Sequence, residues 1–332
     1  MSAISEYLDM ALAARKDLID EKHESAFRLF NGFLEGFPAL SIDLYARTAL
    51  LHNYAESASD SDAAIAQNWI LEKLPWVRCV IVKTRNGQSD SEKRGIQTYG
   101  ANPDRKIREH GTWHAIDLTM NRDASLYLDT RNLRLWAQKN LSGKTILNTF
   151  AYTGSLGTAA LAGGAARVIQ LDRNRYFLDV AKTSYMLNGF PIDKKDFIAG
   201  DFFPTVSQFK RSGQTFDCVF LDPPFFASTA KGTVDLESGS SKLINKIRPL
   251  IRDGGWLVTI NNALFVSGRD YLTVLESLCA DGYLSLEQLI PIPEDFSGFP
   301  ETRSGKPPVD PAPFNHSTKI AILRVRRKSA AD

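Results

Sequence analysis

The run with the most chemistry in it is Asp222-Pro223-Pro224-Phe225-Phe226, directly after the apolar segment FDCVFL. Consecutive prolines fix the backbone and remove N–H donors. A rigid exit of this kind aims the Asp222 carboxylate and nearby carbonyls at a nucleophile. Phe225 can stack on a flat base, which is worth about 1–3 kcal/mol. Three further signals precede it in order. Asn148-Thr149-Phe150-Ala151-Tyr152-Thr153-Gly154 follows TILN and opens the small-residue run SLGTAALAGG. A tight glycine turn there lets backbone approach a ligand closely, or it is an ordinary turn between strand and helix. It is not GxGxxG, which counts against a nicotinamide cofactor. Asp172 closes ARVIQLD, where an acid can accept both hydroxyls of a ribose or cap the helix that follows. Asp201-Phe202 closes DFIAG, and can hold an adenine amine and face, or again cap a helix.

Signals at the ends of strands need strands to carry them. From Ser125 the chain alternates β-branched apolar segments with helical ones. LYLDTRNLRLWAQKNL reads as a strand turning into a helix. TILNTFAY, ARVIQLD, DFIAGD, FDCVFLDPP and GGWLVTINN read as strands, with helices between them. Such alternation predicts an α/β fold, a Rossmann-like, mainly parallel sheet covered on both faces, with ligands at the carboxyl ends of its strands. KIAILRVRRK is expected to close the sheet edge, and the Pro- and Gly-rich stretch 291–316 reads as a long loop. Upstream, residues 4–30 carry apolar positions at helical spacing, from Ile4 and Leu8 to Phe27 and Phe30. LSIDLYARTALLH reads as a hairpin, 62–76 as a helix and VRCVIVKT as a strand. The expected organisation is an N-terminal helical segment (1–30), a smaller mixed α/β domain (31–123) and the main domain (124–332).

The ordered motifs resemble those of the class I S-adenosylmethionine-dependent methyltransferases. More narrowly they are similar to the large-subunit ribosomal RNA methyltransferases, the group containing the 23S rRNA cytosine-5 methyltransferase. The likeness extends upstream through Arg28-Leu29-Phe30-Asn31-Gly32, Glu35-Gly36-Phe37-Pro38-Ala39-Leu40, Asp43-Leu44-Tyr45 and Tyr127-Leu128-Asp129-Thr130-Arg131. It implies S-adenosyl-L-methionine as cofactor. The turn from Asn148 through Phe150, Tyr152, Thr153 and Gly154 would cradle its methionine part and ribose. Asp172 would hold the ribose hydroxyls, and Asp201 and Phe202 the adenine. Asp222, Pro223, Pro224 and Phe225 would sit at methyl transfer. Asp129 and Arg131 would lie beside the cofactor carboxylate or the substrate, Arg131 being suited to a bidentate carboxylate contact. In the ribosomal group the aromatic stands second after the prolines, which is Phe226 here.

The chain departs from that group at one decisive point. Cytosine-5 methylation needs a cysteine thiolate to attack the ring, and the resembled enzymes carry it at the end of the strand after DPP. Here that strand reads Leu257-Val258-Thr259-Ile260-Asn261-Asn262-Ala263. A DPPF run also resembles the [DN]PP[FY] loop of enzymes that methylate exocyclic amines without a covalent intermediate. The expectation is therefore transfer to a nitrogen, with RNA, ribosomal RNA first, as the partner. A protein side chain or small molecule as acceptor, and an inactive cofactor-binding paralogue, stay open as alternatives. Asn261 and Asn262 are candidates for orienting the acceptor, His316 for reaching it, and Lys231, Arg303, Lys306 and Lys319 for phosphate contacts.

Composition is consistent with this. The 332 residues are 43% hydrophobic and 23% charged with net charge +2, which excludes a tail-driven, strongly basic nucleic-acid binder. Three scattered cysteines without CxxC, and five histidines without ligand spacing, predict neither a disulfide framework nor a metal site. No apolar stretch is long enough for a membrane span. A reducing, cytoplasmic setting is expected, as a monomer or homodimer.

Overall fold

The computed structural model describes residues 3–55, 61–229, 232–236, 239–306 and 313–327. The chain forms two compact units, Met1–Asp129 with Pro293–Pro307, and Thr130–Ile292 with Pro308–Asp332.

The first unit is built on a five-stranded sheet in the order β1 (Ala26–Asn31), β2 (Leu40–Tyr45), β3 (Thr48–Asn53), β4 (Cys79–Thr84), β5 (Ile96–Gly100). Neighbours are antiparallel except β3 and β4, which are parallel and joined through helix α2 (Ser61–Lys73). Successive side chains feed two cores, as a pleated strand requires. Ile42, Leu44 and Leu51 pack with Ile4 and Leu8 of α1 (Ala3–Arg15) and with Ile70 of α2. Tyr45, Leu50 and Ile81 pack with Ile107 and Leu126. The helical reading of 4–30 holds at α1 and fails at β1. There Phe27, Leu29 and Phe30 are all buried within six residues, which needs a strand covered on both faces. The expected strand at 126–130 is also absent. Leu126 and Leu128 bury and Tyr127 points out, but they make no ladder. A 3-10 turn follows at Leu128–Thr130, and Leu126 is tied by its carbonyl to the Tyr45 hydroxyl at 2.8 Å. The polar stretch 85–95 contains a short capped helix, α3 (Asp90–Arg94), and an antiparallel pair of β6 (Lys106–Glu109) and β7 (Thr112–Ala115) follows β5.

The second unit carries seven strands in one sheet. Chain order runs β8 (Thr145–Thr149), β9 (Arg167–Asp172), β10 (Phe197–Ala199), β11 (Phe216–Leu221), β14 (Ile251–Asn261), β15 (Leu284–Ile290), β16 (Lys319–Val325), and sheet order is β10-β9-β8-β11-β14-β16-β15. The first five are parallel, and β16 runs antiparallel to both neighbours. This is the Rossmann-like α/β architecture expected. Helices α4 (Arg131–Asn140), α5 (Ser155–Ala162), α6 (Arg175–Leu187), α7 (Phe202–Arg211), α8 (Ser240–Ile247) and α9 (Gly268–Cys279) alternate with the strands. One placement differs from expectation: β16 is inside the sheet, buried at six of its seven residues, and the half-exposed β15 forms the edge. A hairpin of β12 (Phe226–Thr229) and β13 (Gly232–Asp235) leaves the end of β11. Among the described residues no helix is long and apolar enough to cross a membrane, and no group of side chains could hold a metal ion.

Sheet order reverses at β8, which lies between β9 and β11. Loops leaving β8 and β11 therefore diverge at their carboxyl ends and open a crevice there, the ligand position in sheets of this kind.

Candidate active site

The turn after β8 is the most constrained segment of the second unit. Phe150, Tyr152 and Gly154 all have positive φ, at 54°, 51° and 72°. A left-handed non-glycine residue costs about 1–2 kcal/mol, so two such aromatics persist only because their surroundings hold them. The amide of Tyr152 donates to Asp172 Oδ2 at 2.8 Å, and that of Ala151 to the Leu171 carbonyl at 2.9 Å. The Thr149 hydroxyl donates to the Phe220 carbonyl on β11 at 2.7 Å, and Thr153 is buried within the turn. Gln170, in the middle of β9, binds the turn from below: its Nε2 donates to the Gly154 carbonyl and to the Tyr185 hydroxyl, and its Oε1 accepts from Asn148 Nδ2 at 2.8 Å. A Cβ at Gly157 would sit 2.2 Å from Gln170 Nε2, so glycine is required for α5 to reach β9. Gln170 was not among the residues picked out above. Its one signal is a polar side chain in the otherwise apolar strand RVIQL.

The acids expected at the site end adjacent strands. Asp172 accepts from the amides of Tyr152 and Asn174, each at 2.8 Å. Burial raises its carboxyl above the ordinary range, and the amides of Asn174, Tyr152 and Arg173 offset this only in part. A carboxylate offers about four lone-pair positions, so room remains for an incoming hydroxyl. Asp201 caps α7, with Oδ1 accepting the Phe203 amide at 2.9 Å. Phe202 is 4% exposed and stacks on Phe150, ring centroids 4.8 Å apart. That stack ties the end of β10 to the turn after β8. Arg131 opens α4 and is half-buried.

Beyond Leu221, Asp222 is half-buried and Pro223 buried, while Pro224, Phe225 and Phe226 face outward. The Phe225 carbonyl accepts the Leu236 amide at 3.0 Å, which closes the β12–β13 hairpin on the proline exit. Asn261, a candidate for orienting the acceptor, is committed elsewhere. Its Nδ2 donates to the Leu236 carbonyl and to the Ser240 hydroxyl, and its Oδ1 accepts the Ala263 amide. Lys319 is not at a mouth. It is fully buried, and its ammonium donates to the carbonyls of Ala263, Val266 and Ser317. Burial pushes its pKa down to about 8. His316 Nδ1 accepts the Thr318 amide at 3.1 Å. Arg303 and Lys306 belong to the segment that clusters with the first unit, and Lys231 and residues 307–312 of the long loop lie outside the described residues.

The lining is rich in acceptors. Asn148 Oδ1 is buried with no hydrogen-bond partner, and Asp201, Asp172 and Asp222 follow β10, β9 and β11, the strands that flank β8 on its two sides. Such a set suits a ligand that is rich in donors and positively charged. S-adenosylmethionine fits, with its ribose hydroxyls, adenine amine, ammonium and sulfonium. A family model described as S-adenosylmethionine-dependent methyltransferase matches residues 90–302. The chain belongs to that family. It is accordingly an enzyme, with S-adenosylmethionine as its cofactor. Among similar proteins, Ribosomal RNA large subunit methyltransferase I of Vibrio vulnificus is 30% identical over 292 residues, 85% of this chain and 71% of its own length. The protein of that name from Shewanella amazonensis is 31% identical, covering 82% and 69%. A protein crystallised in complex with SAH shares the fold, with TM-score 0.82 at 20% identity over 98% of this methyltransferase and 82% of that chain. The tRNA m1G37 methyltransferase of M. jannaschii shares it more distantly, with TM-score 0.51 at 14% identity over 85% and 73%.

Proposed function

We propose that this methyltransferase acts on RNA of the large ribosomal subunit and transfers its methyl group to a nitrogen. The observation that carries the nitrogen is the state of the thiols. Cys79 is fully buried at the start of β4, and Cys218 is sealed inside β11, where burial drives its thiol far above the ordinary range. Cys279 ends α9, and burial raises its thiol too. None stands at the end of β14, so none can attack a pyrimidine ring beside Asp222. The names of the curated relatives support RNA as the partner.

In this reading Asn148, Phe150, Tyr152, Thr153 and Gly154 cradle the cofactor, with Arg131 on its carboxylate. Asp172 takes the ribose hydroxyls, and Asp201 with Phe202 the adenine. Bound S-adenosylmethionine supplies an electrophilic methyl group on a cationic sulfur. Pro223 and Pro224 hold the backbone rigid so that carbonyls after Leu221 and the Asp222 carboxylate accept the N–H groups of the acceptor. That directs the nitrogen lone pair at the methyl carbon, and Asp222 takes up the released proton. Phe225 packs on the base.

Mapping modified nucleosides in ribosomal RNA from a deletion strain tests the assignment. One N-methylated nucleoside should vanish and return with the wild-type gene. It should return equally with a variant in which Cys79, Cys218 and Cys279 are all replaced by alanine. A missing 5-methylcytidine that the cysteine-free variant fails to restore would overturn the nitrogen assignment. Asp172→Ala should weaken SAH binding by about 10- to 100-fold, the loss of a charged acceptor shared by two hydroxyls. Calorimetry with SAH measures this, and unchanged affinity would remove Asp172 from the cofactor site.

A further inference from the structure

Strands β11 and β14 are adjacent and parallel, with Leu221 opposite Thr259. Residues after 221 and after 261 therefore leave the sheet on the same rim. The β14 loop carries Leu264 and Phe265 outward, 73% and 81% exposed, the two most exposed large apolar side chains among the described residues. Exposure of this degree on a floppy loop would mean little. Here the loop is fixed from both sides. A continuous path of hydrogen bonds runs from the reaction loop into it. The Phe225 carbonyl accepts from Leu236, the Leu236 carbonyl from Asn261 Nδ2, and Asn261 Oδ1 from Ala263. The carbonyls of Ala263 and Val266, on either side of the apolar pair, both accept from Lys319 Nζ at 3.0 and 2.9 Å. A buried ammonium is costly to desolvate, and it persists where all its donors are satisfied; three carbonyls do so here.

We propose that Phe265, with Leu264 beside it, is a second wall of the acceptor site that stacks against a nucleobase of the RNA substrate, and that Lys319 and Asn261 are the positioning residues that hold it. The inference rests on the RNA reading above. Fixing two apolar side chains in water on the rim that carries Asp222 makes sense when a flat, apolar surface is brought to that rim. Between Asn261 and Gly268 the loop has no carboxylate; Arg269 follows, and the one acid at its end, Asp270, is bonded to the Ser267 hydroxyl and amide. Phe225 and Phe226 are exposed on the neighbouring loop, and a base entering between them and Phe265 would meet rings on two sides. Lys319 was readable in the sequence only as a cation. In the structure its ammonium is taken up by three backbone carbonyls, and it acts through the backbone of another loop.

The test uses the full chain and protein-free large-subunit ribosomal RNA. Phe265→Ala should raise KM for RNA by about tenfold or more, the scale of one lost base stack, and weaken filter-binding affinity in parallel. SAH affinity and thermal stability should stay at wild type, and Phe265→Trp should retain tight RNA binding. Lys319→Met should reproduce the KM effect with faster hydrogen exchange confined to 263–266, and adding Phe265→Ala to it should change little. If Lys319→Met does not fold, Phe265→Ala alone decides. Wild-type methylation of RNA with unchanged KM and affinity in Phe265→Ala overturns the inference and leaves the RNA reading intact. Loss of a concentration-dependent dimer in Phe265→Ala, with RNA kinetics unchanged, reassigns the loop to a second copy of the chain and also overturns it. A wild-type protein that neither binds nor methylates RNA overturns the reading and the inference together.

Discussion

Asp222→Ala should reduce kcat for methyl transfer by about 10²- to 10⁴-fold, the range associated with a positioned proton acceptor, while SAH affinity stays within a few-fold of wild type. The separation follows from where Asp222 stands. Apart from Arg131 at the start of α4, the residues proposed for the cofactor leave β8, β9 and β10, whereas Asp222 leaves β11 on the other side of the switch in strand order. Its loss removes a charge and a proton acceptor from the acceptor side. Asp222→Asn separates the two contributions. Asparagine keeps one carbonyl acceptor but carries no charge, so it should recover part of the orientation and none of the proton uptake. Single-turnover rates at saturating cofactor measure both variants. A kcat unchanged in Asp222→Ala would show that the backbone carbonyls alone suffice, and would move the reaction centre off Asp222.

How much of this was legible beforehand depends on how local the signal is. Strands such as FDCVFL announce themselves because burial on both faces demands an unbroken apolar run. The four signals at strand ends could be ordered because alternation fixes which end of each strand they occupy. Position across the sheet is not local. β16 is as apolar as an interior strand, but nothing in KIAILRV says that it inserts beside β14 and leaves β15 at the edge. Side-chain commitments are less local still. Lys319 is called to the interior by carbonyls of residues 263, 266 and 317, and Gln170 by Asn148, Gly154 and Tyr185. Two failed readings, at 26–30 and 126–130, share a cause. Spacing of apolar residues reports which side chains are buried, and in both places the partner that buries them decides the backbone: a two-faced sheet in the first, a 3-10 turn in the second.

Asp43→Ala should destabilise the first unit by about 3–5 kcal/mol, the cost of leaving one member of a buried ion pair uncompensated. Asp43 is 3% exposed at the centre of β2. Its carboxylate takes Nε and Nη2 of Arg28 at 2.7 and 3.0 Å, and His52 Nε2 lies 3.2 Å away. Burial lowers the His52 pKa, so the neutral ring donates through Nε2. The same Arg28 lies under the Phe296 ring at 3.8 Å, and its amide donates to Asp295. Alanine at 43 thus strands a guanidinium that also packs on the Phe296 ring. The pH dependence gives a second, sharper check. Burial by itself would raise the Asp43 carboxyl, but the Arg28 charge and the bonds from His52 and Arg28 outweigh it and hold the group well below the usual range. A carboxyl depressed in the folded state contributes stability that is complete above its unfolded pKa, near 3.9, and is lost as pH falls below that value toward the folded one. Asp43→Asn lacks this contribution at every pH. The gap between wild type and Asp43→Asn in guanidinium midpoint should be full at pH 7 and narrow steadily below about pH 4. A gap that stays constant down to pH 2.5 would mean that the Asp43 charge contributes nothing and that the loss in the variants comes from packing alone.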